Sequence, residues 1–207
     1  MSLIKDAIVA GSIQSGEYIV EGKIAQQLGV GQGLIREALI ELEHQGFVQR
    51  TPYSGTQVPK LSHEDAIQIF DVRIQLEPWA FQDGGRKMKP ADRRDLQNLL
   101  AKAKLDADQG NLDRFLENHL PFRQKIWDLT GNKYLQQTLE RLVPPLYALY
   151  LRGEENRHGL QQTVNNAVRH KTQILECYES GHFEQAGLIA REFLIEMQKT
   201  LVAKLRP

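Results

Sequence analysis

Cysteine is nearly absent from this chain, and its one residue of that type, Cys177, excludes an internal disulfide and a cysteine metal cluster. An excess of charge of one sign is also missing, because 26 Lys and Arg balance 26 Asp and Glu. The sequence therefore lacks the bulk basicity of a non-specific nucleic-acid coat. It also lacks an apolar run of roughly 18 residues, as a membrane span needs, and a signal-peptide core. We expect a cytoplasmic protein without membrane contact.

The first 60 residues predict a small domain with three helices and a hairpin. Helical spacing of apolar residues places the helices near 3–11, 22–28 and 31–45. Strand patterns follow at 47–50 and 56–58, and Gly55 between them suits a tight turn. Two helices around a glycine turn, followed by a strand pair, are typical of a winged helix-turn-helix.

The remainder, residues 61–207, predicts a second domain that is entirely helical. A capping-box pattern at Ser62 to Asp65 opens it, and no strand pattern follows. Helical segments are expected at 62–88, 91–109, 112–129, 133–152, 160–179 and 183–205. Pro78 is expected to kink or split the first of them. The fold class is thus mainly α: a winged helix-turn-helix followed by a bundle of six or seven helices.

The second helix of such a motif directs its N-terminal residues toward base edges, and the wing reaches phosphate or the minor groove. The candidate DNA contacts are therefore Gln32, Gly33 and Arg36 on this helix, and Arg50, Tyr53 and Gly55 in the wing. Two alternatives remain open. Arg36 can instead pair with acidic neighbours on a solvated helix face, and the wing residues can form an ordinary hairpin tip. Residues 1–60 hold five basic and six acidic residues, so electrostatic steering toward DNA is weak.

Several segments carry a family resemblance in the same order along the chain. In the first domain they are Ile24-Ala25-Gln26-Gln27-Leu28-Gly29-Val30, Ile35-Arg36-Glu37-Ala38-Leu39 and Gly46-Phe47-Val48. In the second they are Asp71-Val72-Arg73, Leu76-Glu77-Pro78, Gly131-Asn132 and Ile174-Leu175-Glu176. The chain resembles the GntR-type bacterial transcription regulators, in the FadR-like branch with an all-helical, FCD-type effector domain.

This resemblance implies a homodimer that binds a palindromic double-stranded DNA operator, commonly as a repressor, and responds to a metabolite in the helical domain. Members of the family usually carry Ser-Arg-Thr-Pro where this chain has Gly31-Gln32-Gly33-Leu34. The family's DNA-reading arginine is therefore Gln32 here. An amide can read adenine bidentately, but it adds no charge.

The resemblance also implies a metal site built from an aspartate and three histidines. The aligned positions in this chain are His119, Arg123, Lys171 and Phe193, so one of four ligands is retained. A divalent ion needs several lone-pair donors and is repelled by neighbouring cations. We therefore expect no metal and no other cofactor. His170 would replace Lys171 as a ligand only if the helix register slipped by one residue.

Apolar spacing places these cations on inward helix faces, where a buried cation requires an anion. One interpretation is a metal-free pocket in which Arg73, His119, Arg123 and Lys171 bind a small anionic effector, such as a carboxylate. The other is that the cations pair with internal Glu or Asp, or reach solvent, and the sensing cavity is vestigial.

These observations lead to three hypotheses of function. The first is a transcription regulator controlled by an anionic metabolite. The second is a dimeric DNA-binding or interaction protein whose helical domain does not sense. The third, a metal-dependent enzyme, has the least support, because no Ser-His-Asp arrangement, phosphate loop or paired carboxylates stand out. We expect no enzyme activity.

Overall fold

The structure is a computed structural model that describes residues 2–9, 12–44, 46–51, 55–110, 112–143, 145–146 and 157–204. The chain divides into two compact units. Residues 1–62 with 140–152 form the first, which we call the winged unit. Residues 63–139 with 153–207 form the second, the helical unit.

The winged unit contains three helices and a small sheet. They are α1 (Ser2–Val9), β1 (Tyr18–Ile19), α2 (Glu21–Leu28), α3 (Gln32–His44), β2 (Gln49–Thr51) and β3 (Gly55–Gln57). The sheet is antiparallel with the order β1-β3-β2. The predicted helices and hairpin are present, but β1 was not predicted. The predicted helix stop at Gly11 lies outside the described residues.

A three-residue turn joins α2 to α3. Gly29 adopts a left-handed conformation with φ of +65°, which favours glycine. The next amide, of Val30, donates a 3.0 Å hydrogen bond to the carbonyl of Ala25 and closes the end of α2. Helix α3 then buries one face, formed by Ile35, Ala38, Leu39 and Leu42. Because these positions repeat with the helical period, the opposite face of α3 is directed to solvent.

The helical unit is built from long helices. They are α4 (His63–Lys87), α5 (Pro90–Asp108), α6 (Leu112–Leu129), α7 (Lys133–Leu142), α8 (Arg157–Glu179) and α9 (Phe183–Lys204). The last residues of α7, from Glu140 onward, belong to the winged unit. Six helices among the described residues after position 62 agree with the predicted bundle, and the mainly α fold class is confirmed. No described helix is long and apolar enough to cross a membrane.

The sequence predicted that Pro78 would kink or split the first helix of this unit. Helix α4 is not split there and continues through Pro78 to Lys87. Proline removes one backbone donor, so the carbonyl of Ile74 loses its helical partner. Packing against α9 compensates, because the two backbones approach closely there: a Cβ on Gly187 would lie 2.8 Å from the carbonyl oxygen of Pro78. Tertiary contact therefore keeps the helix continuous.

Helix α4 also approaches α6 closely, and glycine permits this contact. A Cβ on Gly84 would lie 2.4 Å from the backbone oxygen of Ile126, far inside van der Waals distance. A backbone atom cannot move aside as the end of a side chain can. The spacing of α4 and α6 therefore depends on this glycine.

We expect Gly84→Ala to lower the free energy of unfolding by about 1–3 kcal/mol, because the added methyl group pushes α4 away from α6. Urea denaturation followed by circular dichroism measures the loss. Gly33→Ala is the control, since no atom lies within 4 Å of a Cβ there. Equal midpoints for Gly84→Ala and the unchanged protein would show that the contact between the two helices is not tight.

Candidate functional site

The exposed face of α3 carries the first group of predicted DNA contacts. Gln32 and Gly33 form the start of the helix, and both are exposed. The carbonyl of Gly31 accepts the first helical hydrogen bond, from the amide of Leu34 at 3.1 Å. Gly31 is thus the N-cap residue, and it has no side chain to cap the first turn. The amides at this end point outward, as in helices that bind phosphate.

Arg36, one turn further along α3, forms an ion pair with Glu21 at the start of α2. Its Nε and Nη2 atoms both donate to Oε2 of Glu21, at 3.1 and 3.0 Å. Hydrogen bonding to Glu21, and then its negative charge, raises the pKa of Arg36. The side chain is nevertheless 57% exposed, so the guanidinium is oriented by Glu21 while still open to an incoming phosphate or base.

The wing places Arg50 on β2, opposite Thr56 of β3. Arg50 is exposed, and its backbone amide donates a 3.0 Å hydrogen bond to Oε1 of Glu43. Gly55 begins β3 with φ of +92°, a conformation that favours glycine. Tyr53 lies outside the described residues. The five predicted DNA contacts that the structure describes are therefore all exposed on the winged unit.

The predicted effector residues meet inside the helical unit, where we define a buried charge cluster of Arg73, Glu77, His119, Arg123 and Lys171. None of these residues is more than 8% exposed, and Glu77 is completely buried. Glu77 was not predicted as a site residue. Its Oε1 accepts a 2.6 Å hydrogen bond from Nε of Arg73, and its Oε2 accepts a hydrogen bond from Nη1 of Arg123. One carboxylate of α4 thus binds two guanidinium groups.

His119 is held in its neutral form by the surroundings of its ring. Burial, and then the charges of Lys171, Arg123 and Arg73, hold the pKa of His119 well below its usual value. The neutral ring can therefore accept a hydrogen bond, and its Nε2 lies 3.3 Å from Nε of Arg123, which donates to it. His119 and Glu77 together fix the orientation of the Arg123 guanidinium.

Lys171 of α8 completes the cluster on the side of α6. Its Nζ lies 5.1 Å from the centre of the Phe122 ring. Burial, and then the charge of Arg123, lower the pKa of Lys171 well below its usual value. The neighbouring His170 is also buried, and its Nε2 lies 3.5 Å from Oε2 of Glu196. Both residues therefore face inward, although the sequence predicted this only for Lys171.

A small cavity adjoins these side chains. Its lining includes His119, Arg123, His170, Lys171 and Phe193. The free volume is only about 10 Å³, room for one water molecule at most. A small organic ligand therefore requires side chains to move.

The side chains at the aligned metal-ligand positions do not suit a divalent metal ion. Of the four aligned positions, only His119 is a residue type that proteins commonly use to bind divalent metals, while Arg123 and Lys171 are basic and Phe193 is apolar. Among the residues that the structure describes, no group of three or more His, Cys, Asp or Glu side chains is arranged to hold an ion.

Two family models match consecutive parts of this chain. The model of the bacterial regulatory proteins of the gntR family matches residues 1–58, and that of the FCD domain matches residues 68–196. The HTH-type transcriptional repressor GlaR of Escherichia coli is 30% identical over 181 residues, which cover 80% of this chain and 81% of GlaR. The chain belongs to the GntR family and carries an FCD domain.

Other relatives of this GntR regulator match nearly its full length. The HTH-type transcriptional regulator McbR of Escherichia coli is 24% identical over 189 residues, covering 91% of this chain and 80% of McbR. The solved structure of McbR superimposes with a TM-score of 0.76 over 99% of this chain and 96% of that one, at 22% identity. A GntR regulator from Rhodococcus gives 0.77 over the same shares, at 17% identity. These two structures confirm the fold.

Membership of the family defines the general role of the protein. It is a transcription regulator that binds DNA through its winged helix-turn-helix. The relatives that we compared are named as transcription regulators rather than enzymes.

Proposed function

We propose that this GntR regulator is a homodimeric repressor whose operator binding is controlled by a small carboxylate metabolite, bound without metal in the buried charge cluster. The observation that carries the proposal is a group of three buried basic side chains. Arg73 and Arg123 share one carboxylate, and Lys171 lines the same cavity as Arg123. Guanidinium groups recognise carboxylates by paired hydrogen bonds, and a lysine adds a point charge. An apolar ligand would not require three buried basic side chains.

Dimerisation and repression rest on separate arguments. A helix-turn-helix dimer reads two half-sites of a palindrome, so two-fold symmetry of the protein matches that of the operator. GlaR is named a transcriptional repressor, as is the gluconate operon repressor of Bacillus licheniformis, which is 27% identical over 144 residues. We extend repression from these relatives to this chain, and we propose no enzyme activity for it.

On the winged unit we propose Arg36 as the principal DNA contact, with Gln32 and Gly33 beside it at the start of α3. The wing contributes Arg50, Tyr53 and Gly55. The exposure of Arg36 supports this assignment. When DNA binds, the guanidinium can either leave Glu21 or contact the DNA while it remains paired with Glu21.

A second candidate function also has an observation in its favour. Glu77 already neutralises part of the positive charge in the cluster, and the cavity that Arg123 lines has almost no free volume. A protein that binds DNA but does not sense a ligand has these same features. A ligand-response experiment separates the two candidates.

The test begins with fluorescence anisotropy at fixed salt, comparing DNA from upstream of the gene with a random duplex of equal length. Acetate, malonate, succinate and citrate are then added at constant ionic strength. We expect at least one of them to weaken operator binding by about five-fold or more, as a coupled ligand does. Equal affinity for the two duplexes contradicts specific operator binding. An affinity unchanged by all four anions favours the regulator that does not sense.

A matched pair of variants locates the response. Lys171→Met keeps the length of the side chain but removes its amine, and we expect it to abolish the effect of the carboxylate while operator binding remains. Lys102→Met removes an exposed charge from α5 and should respond as the unchanged protein does.

A further inference from the structure

We propose that Glu77 is a built-in competitor of the effector: it holds Arg73 and Arg123 in the unliganded regulator, and the carboxylate of the ligand displaces it from Arg123. This inference rests on the proposed function, because it specifies how an anion enters the buried charge cluster. It also goes beyond that function, since it makes binding an exchange between two carboxylates.

The geometry of Glu77 is that of a bound anion. Its side chain is completely buried, and its two oxygens accept hydrogen bonds from different guanidinium groups, Arg73 on α4 and Arg123 on α6. A small carboxylate ligand offers the same two oxygens with the same charge. Glu77 therefore occupies the place that the most favourable ligand group would take.

Among the contacts of the described residues, each guanidinium makes fewer hydrogen bonds than its donors allow. An arginine has five N–H donors, and its strongest contact with a carboxylate uses two of them in parallel. In the described contacts, Arg123 gives one bond to Glu77 and one to His119. A ligand that makes the paired contact has an advantage over Glu77, which divides its oxygens between two arginines.

The position of the cavity supports exchange rather than simple addition. Arg123 lines the cavity and also contacts Glu77, so an anion that enters the cavity meets the guanidinium that Glu77 holds. A free volume of about 10 Å³ cannot hold an additional carboxylate. Binding therefore requires the side chains that line the cavity to move, and Arg123 is one of them.

Exchange also provides a route for a conformational response. The contact between Glu77 and Arg123 joins α4 to α6 across 46 positions of the sequence. Loss of this contact removes one ion pair between the two helices, while the ion pair of Arg73 with Glu77 within α4 remains. The ligand therefore changes a contact between helices inside the helical unit. Such a change is required if the ligand is to bind one conformation of the regulator more tightly than another.

The test compares Glu77→Gln with the unchanged regulator by isothermal titration calorimetry at pH 7, using acetate, malonate, succinate and citrate at matched chloride. Glutamine keeps the shape and one acceptor oxygen but carries no charge, so it competes less well for Arg123. We expect the carboxylate that binds best to bind Glu77→Gln about ten-fold more tightly. Glu184→Gln, which removes a carboxylate from an exposed pair with Arg86, should bind as the unchanged protein does.

The outcomes separate this inference from the function on which it rests. Tighter binding by Glu77→Gln, or binding by that variant alone, supports the competitor. If the unchanged protein binds a carboxylate and Glu77→Gln binds it equally or less tightly, the competitor is refuted and the proposed function stands. If neither protein binds any of the four anions, the carboxylate site itself is refuted.

A second variant, Glu77→Asp, tests the same inference if Glu77→Gln does not fold. Glu77→Asp keeps the charge but shortens the side chain by one methylene group, which withdraws the carboxylate from Arg123. It should also bind the carboxylate more tightly than the unchanged protein. Unchanged or weaker binding by Glu77→Asp overturns the inference.

Discussion

Glu77→Leu should lower the free energy of unfolding by about 3–5 kcal/mol, a large part of the roughly 5–15 kcal/mol that holds a domain folded. The substitution puts an apolar side chain of similar size in place of the carboxylate, and it removes the shared counterion of Arg73 and Arg123. Two guanidinium groups that are each no more than 5% exposed then lose their common partner. Urea denaturation followed by circular dichroism measures the loss.

Replacing Arg73, Glu77 and Arg123 together, the trio of charges joined by ion pairs, should restore most of this stability. In the triple variant Arg73→Met, Glu77→Leu, Arg123→Met, no buried charge of the trio remains to be compensated, and apolar trios of similar volume are often as stable as ionic ones. Glu184→Leu is the surface control, because its pair with Arg86 is exposed to solvent and its loss should not shift the midpoint. A midpoint for Glu77→Leu equal to that of the unchanged protein would contradict the ion pairs that the structure describes.

The comparison also bears on why the charges are present. If the apolar triple variant is stable, the ion pairs are not needed to fold the helical unit, and their presence requires another reason. Recognition of an anion is such a reason, because it needs a guanidinium that is buried and already oriented. The triple variant should then bind operator DNA but no longer respond to a carboxylate.

Most of the fold was predictable from the sequence because its helices are long and strongly periodic. The predicted helix at 183–205 and the observed α9, Phe183–Lys204, differ by one residue at one end. Strand β1 was missed because two residues are too few to show an alternating pattern, and its place depends on pairing with β3. The unbroken α4 at Pro78 likewise depends on packing against another helix.

The candidate site was predictable only in part, and for a similar reason. Inward spacing on single helices identified Arg123 and Lys171 as buried. The spacing of four residues between Arg73 and Glu77 was a local signal that was not used. The second contact of Glu77, with Arg123, joins two helices that are distant in sequence, and periodicity within one helix carries no information about it.

Arg36→Ala should weaken operator binding on the order of ten- to a hundred-fold, as loss of an arginine contact with a base or phosphate does. Anisotropy titrations at several salt concentrations measure the loss and identify its kind. If Arg36 contacts phosphate, the slope of log affinity against log salt falls by about one. If it contacts a base edge, the slope changes less and discrimination against random DNA decreases. Arg94→Ala, an exposed arginine of α5, is the control and should bind DNA normally.

Two further variants distinguish DNA contact from a purely structural role of Arg36. Glu21→Gln removes the carboxylate that holds the guanidinium, so it should strengthen DNA binding if Arg36 contacts DNA. If Arg36 serves only to join α2 to α3, Glu21→Gln and Arg36→Ala should instead weaken binding together, since both break the same pair. Gln32→Arg adds a positive charge at the start of α3 and should strengthen binding to any duplex. Unchanged affinity in Arg36→Ala would show that the DNA contact lies elsewhere on the winged unit.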